Sequence, residues 1–213
     1  MIFASRQDAG RRLGKHLRER GVRADIVLGL PRGGVVVAAE VARELKLPLD
    51  VLVVRKIGHP FQPEFAVGAL AEPDAVHLND ETLREFPPGQ DRLEKVIAAE
   101  KARLREYRQR FHLSPMPALD EKIVLLVDDG LATGATAEAA ALSARSQNAR
   151  RVIVAVPVAS PEAADRLRRV ADVEVLSEDP HFQAVGQFYE EFFPTEDEEV
   201  IALLREAANV ARE

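Results

Sequence analysis

The sequence has no cysteine, no tryptophan, and only two methionines and two tyrosines in 213 residues. Without cysteine, disulfides and thiolate chemistry are excluded. Long apolar runs are also missing. None approaches the length needed to cross a bilayer, and the opening MIFASRQDAGRR lacks the apolar core of a secretory signal, so residence in the cytoplasm is expected. Net positive charge is absent: the formal charge is −6 and the pI about 5.5. That balance argues against a general nucleic-acid binder and leaves room for a local basic pocket facing phosphate. No internal repeat or low-complexity segment stands out. What remains is an ordinary globular composition, 46% hydrophobic and 30% charged, at a length that suits one domain with an ample core.

Residues 122–136 read KIVLLVDDGLATGAT. The run from Ile123 to Val127 suits a strand buried on both faces of a parallel sheet. It ends in two adjacent carboxylates, Asp128 and Asp129. A small, hydroxyl-bearing loop follows, Gly130-Leu131-Ala132-Thr133-Gly134-Ala135-Thr136, and an alanine-rich helical pattern begins at Ala137. Backbone N–H groups at such a loop and helix start have no intrahelical partner and favour an anion, typically phosphate. The acids can accept hydrogen bonds from hydroxyls or hold a cation. An ordinary strand-to-helix turn accounts for the glycines but not for two adjacent acids at a buried strand end, which are costly without partners.

Residues 25–30, DIVLGL, form a second apolar run. Pro31-Arg32-Gly33-Gly34 follows it, then a helical pattern over 35–45. This segment is neither a Gly-x-Gly-x-x-Gly fingerprint nor a Walker loop. A phosphate cradle and a tight turn both fit it. The strand at 49–54 runs into Arg55-Lys56-Ile57-Gly58, a basic pair suited to phosphate oxygens or to a solvated strand end. An amphipathic helix is expected over 5–20, capped by Ser5. Further strands are expected at 75–78, 151–157 and 172–176. Helices are expected over 79–86, 91–111 and 137–147, from Ser160-Pro161, and over 195–212. Residues 177–194 hold Phe182, Phe188, Tyr189, Phe192 and Phe193, five of eleven aromatics. Alternating strand and helix predict a single α/β domain over 1–213 with a parallel sheet, whose ligands bind beyond the carboxyl ends of the strands.

VLLVDD followed by TGAT resembles the phosphoribosyl pyrophosphate (PRPP) motif of type I phosphoribosyltransferases. The resemblance covers residues 25–158, less an insertion. It implies a parallel sheet flanked by helices, with a helical insertion over 79–117 and a C-terminal hood over 177–194. It also implies transfer of the phosphoribosyl group from PRPP to a nitrogenous base with release of pyrophosphate. By that resemblance Thr133, Gly134, Ala135 and Thr136 bind the 5′-phosphate, and Gly130 and Ala132 are substrate-binding beside them. Asp128 and Asp129 are the catalytic acids that meet the ribose hydroxyls. Arg32, Gly33 and Gly34 form the pyrophosphate loop, with a cis peptide near 31–33, and Arg55 and Lys56 contact pyrophosphate as in adenine-type members. Mg²⁺ is the expected cofactor, held mainly through PRPP with help from Asp128 and Asp129. Residues 61–72 fall where the family has a mobile loop or short hairpin, with Glu64 as its substrate-facing acid. Phe182 is the hood aromatic, although the same aromatics fit a buried C-terminal cap equally well. The thin stripe Leu93, Ile97, Leu104, Phe111 suits docking on the core rim or on a second subunit, as in a homodimer. Ala132 stands where 6-oxopurine enzymes carry an acid, which disfavours hypoxanthine and guanine. A non-catalytic PRPP-binding regulator is the alternative. Phosphohydrolase and Rossmann readings lack their opening motifs.

Overall fold

The continuous apolar runs assemble into one five-stranded sheet, parallel throughout. The structure is a computed structural model that describes residues 1–113 and 115–210, with the backbone alone for Glu64, Glu81 and Val210. Ser114 of the expected linker, the Glu64 side chain and Arg212 of the expected terminal helix lie outside the described residues. The sheet comprises β1 (Ile26–Gly29), β2 (Leu49–Val51), β6 (Ile123–Val127), β7 (Arg151–Ala159) and β8 (Asp172–Glu178), in the order β2-β1-β6-β7-β8. Register levels the two central strands. Gly29 lies opposite Val127, and the Leu30 N–H donates to the Val127 carbonyl at 2.9 Å. The loop after β1 and the acids after β6 therefore leave the sheet side by side.

Strand residues alternate between two apolar layers. Ile26, Leu28, Val124, Leu126, Val152 and Val154 pack beneath α5 (Ala135–Ser146) and α6 (Pro161–Leu167). The alanines of α5 at 137, 140, 141 and 144 are all buried there and let the helix approach closely. Val27, Leu125, Val127 and Ile153 pack against α1 (Arg6–Glu19) and α2 (Gly33–Leu45) on the other face. Ser5 caps α1 as expected, its hydroxyl accepting from the Asp8 N–H.

The chain between β2 and β6 departs from the expectation. The strand read over 49–54 is two strands. Leu52 and Val53 carry the chain out of the parallel sheet into a three-stranded antiparallel one. That sheet comprises β3 (Val54–His59), β4 (Gln62–Ala71) and β5 (Ala75–Leu78), in the order β3-β4-β5. The stretch expected as a mobile loop or short hairpin is thus mostly the central strand of a sheet. The helices α3 (Asp80–Glu85) and α4 (Gln90–Phe111) follow. Leu104 and Phe111 are fully buried with Val35, Val51, Val53, Ile57 and Leu70, and with Val200 and Leu204 of α7 (Asp197–Val210). Burial of this kind is worth about 1.5–3 kcal/mol per large apolar side chain. The helices read as an insertion therefore complete a second core.

A charged cluster pins this core to the parallel sheet. Glu72, with no exposed surface, accepts from the Val53 N–H at 2.6 Å. Its other oxygen lies 3.0 Å from Arg108 Nε and 2.9 Å from His112 Nε2. His112 Nδ1 lies 3.3 Å from Asp50 Oδ1. Burial lowers the His112 pKa, but the hydrogen bond to Glu72 and attraction from Asp50 and Glu72 outweigh it and push the group up to about 9.

Candidate functional site

Three segments converge at the carboxyl ends of β1 and β6. The first is the acid pair. Asp128 Oδ1 accepts the Asp129 N–H at 2.8 Å, and Asp129 Oδ2 accepts from Arg6 Nε at 2.7 Å. Burial pushes the Asp128 carboxyl well above the usual carboxylate range, and the neighbouring Asp129 adds to it. Burial raises Asp129 as well, against the opposing pull of Arg6.

The second segment is the loop 130–134 leading into α5. It is stitched to the end of β7: the Leu131 N–H donates to the Val158 carbonyl at 2.9 Å, the Ser160 N–H to the Leu131 carbonyl at 2.9 Å, and the Ser160 hydroxyl to the Ala132 carbonyl at 2.9 Å. Gly134, at φ 73°, takes the left-handed conformation that starts α5. The first intrahelical bond is from the Glu138 N–H to the Gly134 carbonyl, so the amides of Ala135, Thr136 and Ala137 precede the helix ladder. The Thr133 hydroxyl lies 3.5 Å from the Ala135 amide.

The third segment is Pro31-Arg32-Gly33-Gly34, which starts α2. Its Pro31–Arg32 peptide is cis, as the resemblance implies. A Cβ on Gly33 would fall 2.2 Å from Asp129 Oδ2, and one on Gly34 2.7 Å from Asp128 Oδ1. Glycine is thus required twice for this loop to lie against both acids. Arg32 Nη1 is 3.6 Å from Asp197 Oδ1 and 3.8 Å from Glu196 Oε2 at the start of α7.

The basic pair expected beside these segments divides. Arg55 and Lys56 are interior residues of β3 and, as neighbours on a strand, face opposite ways. Arg55 ion-pairs with Glu100 of α4 at 3.0 Å and lies over the Tyr107 ring at 5.2 Å, which removes it from the site. Lys56 instead lines a cleft of about 710 Å³ together with Phe65, His77, Thr133, Ala135 and Glu138. The cleft runs between the antiparallel sheet and α5, and reaches the second segment but not the acids.

Phe182 is half-buried. It stacks on Phe188, with centroids 5.1 Å apart, against a cluster of Phe3, Ala9, Val158 and Tyr189. Phe3 pairs with this segment through backbone bonds, donating to the Phe188 carbonyl and accepting from the Glu190 N–H, each at 2.8 Å. The aromatic stretch is therefore largely a cap, and Phe182 belongs to it. Its exposed rings are Phe192 and Phe193.

One site residue escaped the sequence reading, and a second was read only as one of the aromatics of the hood or cap. Arg6 reaches Asp129, donates to the Phe193 carbonyl at 2.7 Å and lies 3.9 Å over the Phe192 ring. The Tyr189 hydroxyl donates to the Asp129 carbonyl at 2.6 Å, and burial raises its pKa further. Arg6 carries no local signal, and Tyr189 carries only that of its aromatic cluster. Each becomes visible only when chain segments 123 or 60 residues apart meet. Among the described residues, no group of three or more histidines, cysteines or acids is placed to hold a metal.

Residues 3–192 match the family described as the phosphoribosyl transferase domain. Two curated relatives from Mycobacterium tuberculosis, both provisionally named phosphoribosyl transferases, are 44% identical over 208 residues. The match takes in 97% of this chain, and the chain spans about half the length of those relatives, 47%. Among solved structures, the protein TT1426 from Thermus thermophilus is 47% identical, with a TM-score of 0.82, covering 97% of this chain and 99% of that one. A purine phosphoribosyltransferase from Pyrococcus horikoshii shares the fold at 18% identity, with a TM-score of 0.50 over 92% of this chain and 97% of its own.

Proposed function

The chain belongs to the phosphoribosyl transferase domain family, and from that premise we propose that it binds PRPP with Mg²⁺ across the three converging segments and transfers the phosphoribosyl group to a nitrogenous base, releasing pyrophosphate. One observation carries the reading. Two helix starts, at Gly33 and Ala135, flank a single acid pair, and the glycines of one of them lie against both carboxylates. That arrangement suits a ligand with two phosphate ends joined by a hydroxyl-bearing ring. The loop 130–136 holds the 5′-phosphate through its amides and the Thr133 and Thr136 hydroxyls. Asp128 and Asp129 accept from the ribose hydroxyls. Arg32 and the start of α2 face the pyrophosphate, where negative charge grows as the bond to the anomeric carbon breaks, and pre-aimed dipoles and cations stabilise that charge. Lys56 shares the cleft with Thr133.

The donor set fits Mg²⁺ in one way. Two adjacent carboxylates, with no cluster of three or more acids, histidines or cysteines placed to hold a metal among the described residues, suit an ion that takes most of its oxygens from the substrate and water. When bound, the ion supplies charge neutralisation on the leaving group.

Thermal unfolding with millimolar PRPP and MgCl₂, beside a dinucleotide control, tests the reading. A ligand at a hundred times its Kd adds about 2.7 kcal/mol, or about 5–10 °C for a chain of this size. An unchanged Tm with PRPP would overturn the site. A pyrophosphate-release assay over a panel of bases then separates the transferase from a regulator that binds PRPP without turning it over.

A further inference from the structure

Arg6 stands where all three segments and the aromatic cap meet. Its guanidinium is largely buried, with 12% of the side chain exposed. Nε donates to Asp129 Oδ2, Nη1 to the Phe193 carbonyl, and the plane covers Phe192. A Cβ on Gly33 would meet Arg6 Nε at 2.7 Å, so the same group also borders the glycine loop.

The oxygens of the acid pair divide accordingly. Asp129 Oδ2 is taken by Arg6, and Asp128 Oδ1 by the Asp129 amide. These are also the two oxygens that Gly33 and Gly34 approach. Among the described residues no protein donor meets Asp128 Oδ2 or Asp129 Oδ1, and neither belongs to the fully buried unpaired atoms. Each acid thus keeps one oxygen that no described protein donor occupies and that is not fully buried. Two acceptors on neighbouring residues match the two hydroxyls of a cis-diol. Without Arg6, the Asp129 carboxylate loses the contact that fixes its rotation.

We propose that Arg6 is a positioning residue that fixes which oxygens of the acid pair meet the sugar, and thereby sets a preference for ribosyl over 2-deoxyribosyl phosphates. The proposal rests on the reading above, in which the acids hold the sugar hydroxyls. Arg6 acts through Asp129 and touches no reacting atom. Its stacking on Phe192 and its bond to the Phe193 carbonyl tie that preference to the seating of the aromatic cap.

Calorimetric titration with ribose 5-phosphate and 2-deoxyribose 5-phosphate tests it, with inorganic phosphate as a probe of the loop alone. The wild-type chain is expected to favour the ribose compound by about tenfold or more, the effect of one charge-assisted hydrogen bond. Arg6→Gln is expected to bring the two sugars to near parity while leaving inorganic phosphate binding unchanged. A general loss of structure would weaken all three ligands together. Phe192→Leu, at a ring 38% exposed, is expected to keep the fold and lose part of the preference. Should Arg6→Gln not fold, Arg6→Lys takes its place. It keeps the charge and loses the planar fork, and a preference between parity and the wild-type value is expected. Full wild-type preference in whichever folded Arg6 variant is measured would overturn the proposal. No preference in the wild-type chain would overturn the acid-pair reading itself, and this proposal with it.

Discussion

His112 offers a quantitative test of the packing between the two cores. Its ring lies between Glu72 Oε2 at 2.9 Å and Asp50 Oδ1 at 3.3 Å, with only 9% of the side chain exposed. The imidazolium is raised from 6.5 to about 9 in the fold. A folded value above the unfolded one means that the contribution is complete below pH 6.5 and is lost as the pH rises through about 9. That gap corresponds to about 3 kcal/mol, and light exposure makes solvent screening a small correction. His112→Gln at pH 6 is therefore expected to lower stability by about 3 kcal/mol, or Tm by about 6–12 °C for a chain of this length. The raw pH curve of the wild-type chain also contains Asp128 and Asp129, whose raised values act with the same sign. The difference between wild type and His112→Gln cancels them. Measured by urea unfolding from about pH 6 to about pH 10, that difference is expected to shrink to within about 1 kcal/mol at the alkaline end. A difference that stays constant across the range would refute the charged clamp and leave His112 as a packing residue.

Three further outcomes follow from named contacts. Gly33→Ala places a Cβ against Asp129 Oδ2 and Arg6, and should destabilise the fold by about 1–3 kcal/mol and abolish binding of ribose 5-phosphate in a calorimetric titration. Asp128→Asn removes a carboxylate that burial and Asp129 both disfavour, so Tm at about pH 8 should hold or rise while sugar-phosphate affinity falls; a large drop in Tm would mark Asp128 as a structural group. Leu104→Ala, on a fully buried side chain of α4, should cost about 2–5 kcal/mol by chemical denaturation, and a cost below about 1 kcal/mol would return α4 to the status of a dispensable insertion.

The parallel sheet was legible because strands covered on both faces are apolar without interruption, as Val27, Leu28, Val124 and Leu125 are. The acid pair and the glycine loops were legible for a related reason: adjacent carboxylates at such a strand end need a purpose that packing does not supply. The antiparallel sheet was hidden. Leu52 and Val53 extend the apolar run of β2 without a break in character, so the switch between sheets leaves no mark in the sequence. With that switch missed, Arg55 and Lys56 read as one basic pair, although the alternation of a strand sends Arg55 to Glu100 and Lys56 to the cleft. Phe182 was ambiguous because an aromatic cluster looks the same whether it shields a ligand or a core. Backbone bonds tie Phe3 to Phe188 and Glu190 and give the stretch a capping role, which stands beside the hood reading, and no local pattern encodes them.

Those bonds also set an order of events during synthesis. Arg6 is made 187 residues before its carbonyl partner on Phe193. At about 5–20 residues per second, the interval is about 10–40 s. Only for its last 65 residues, about 3–13 s, does the nascent chain display Asp128, Asp129 and both glycine loops while the cap that holds Arg6 has yet to emerge. The closing step is the docking of a late segment onto an early one, the type of contact whose loop-closure cost makes it slow.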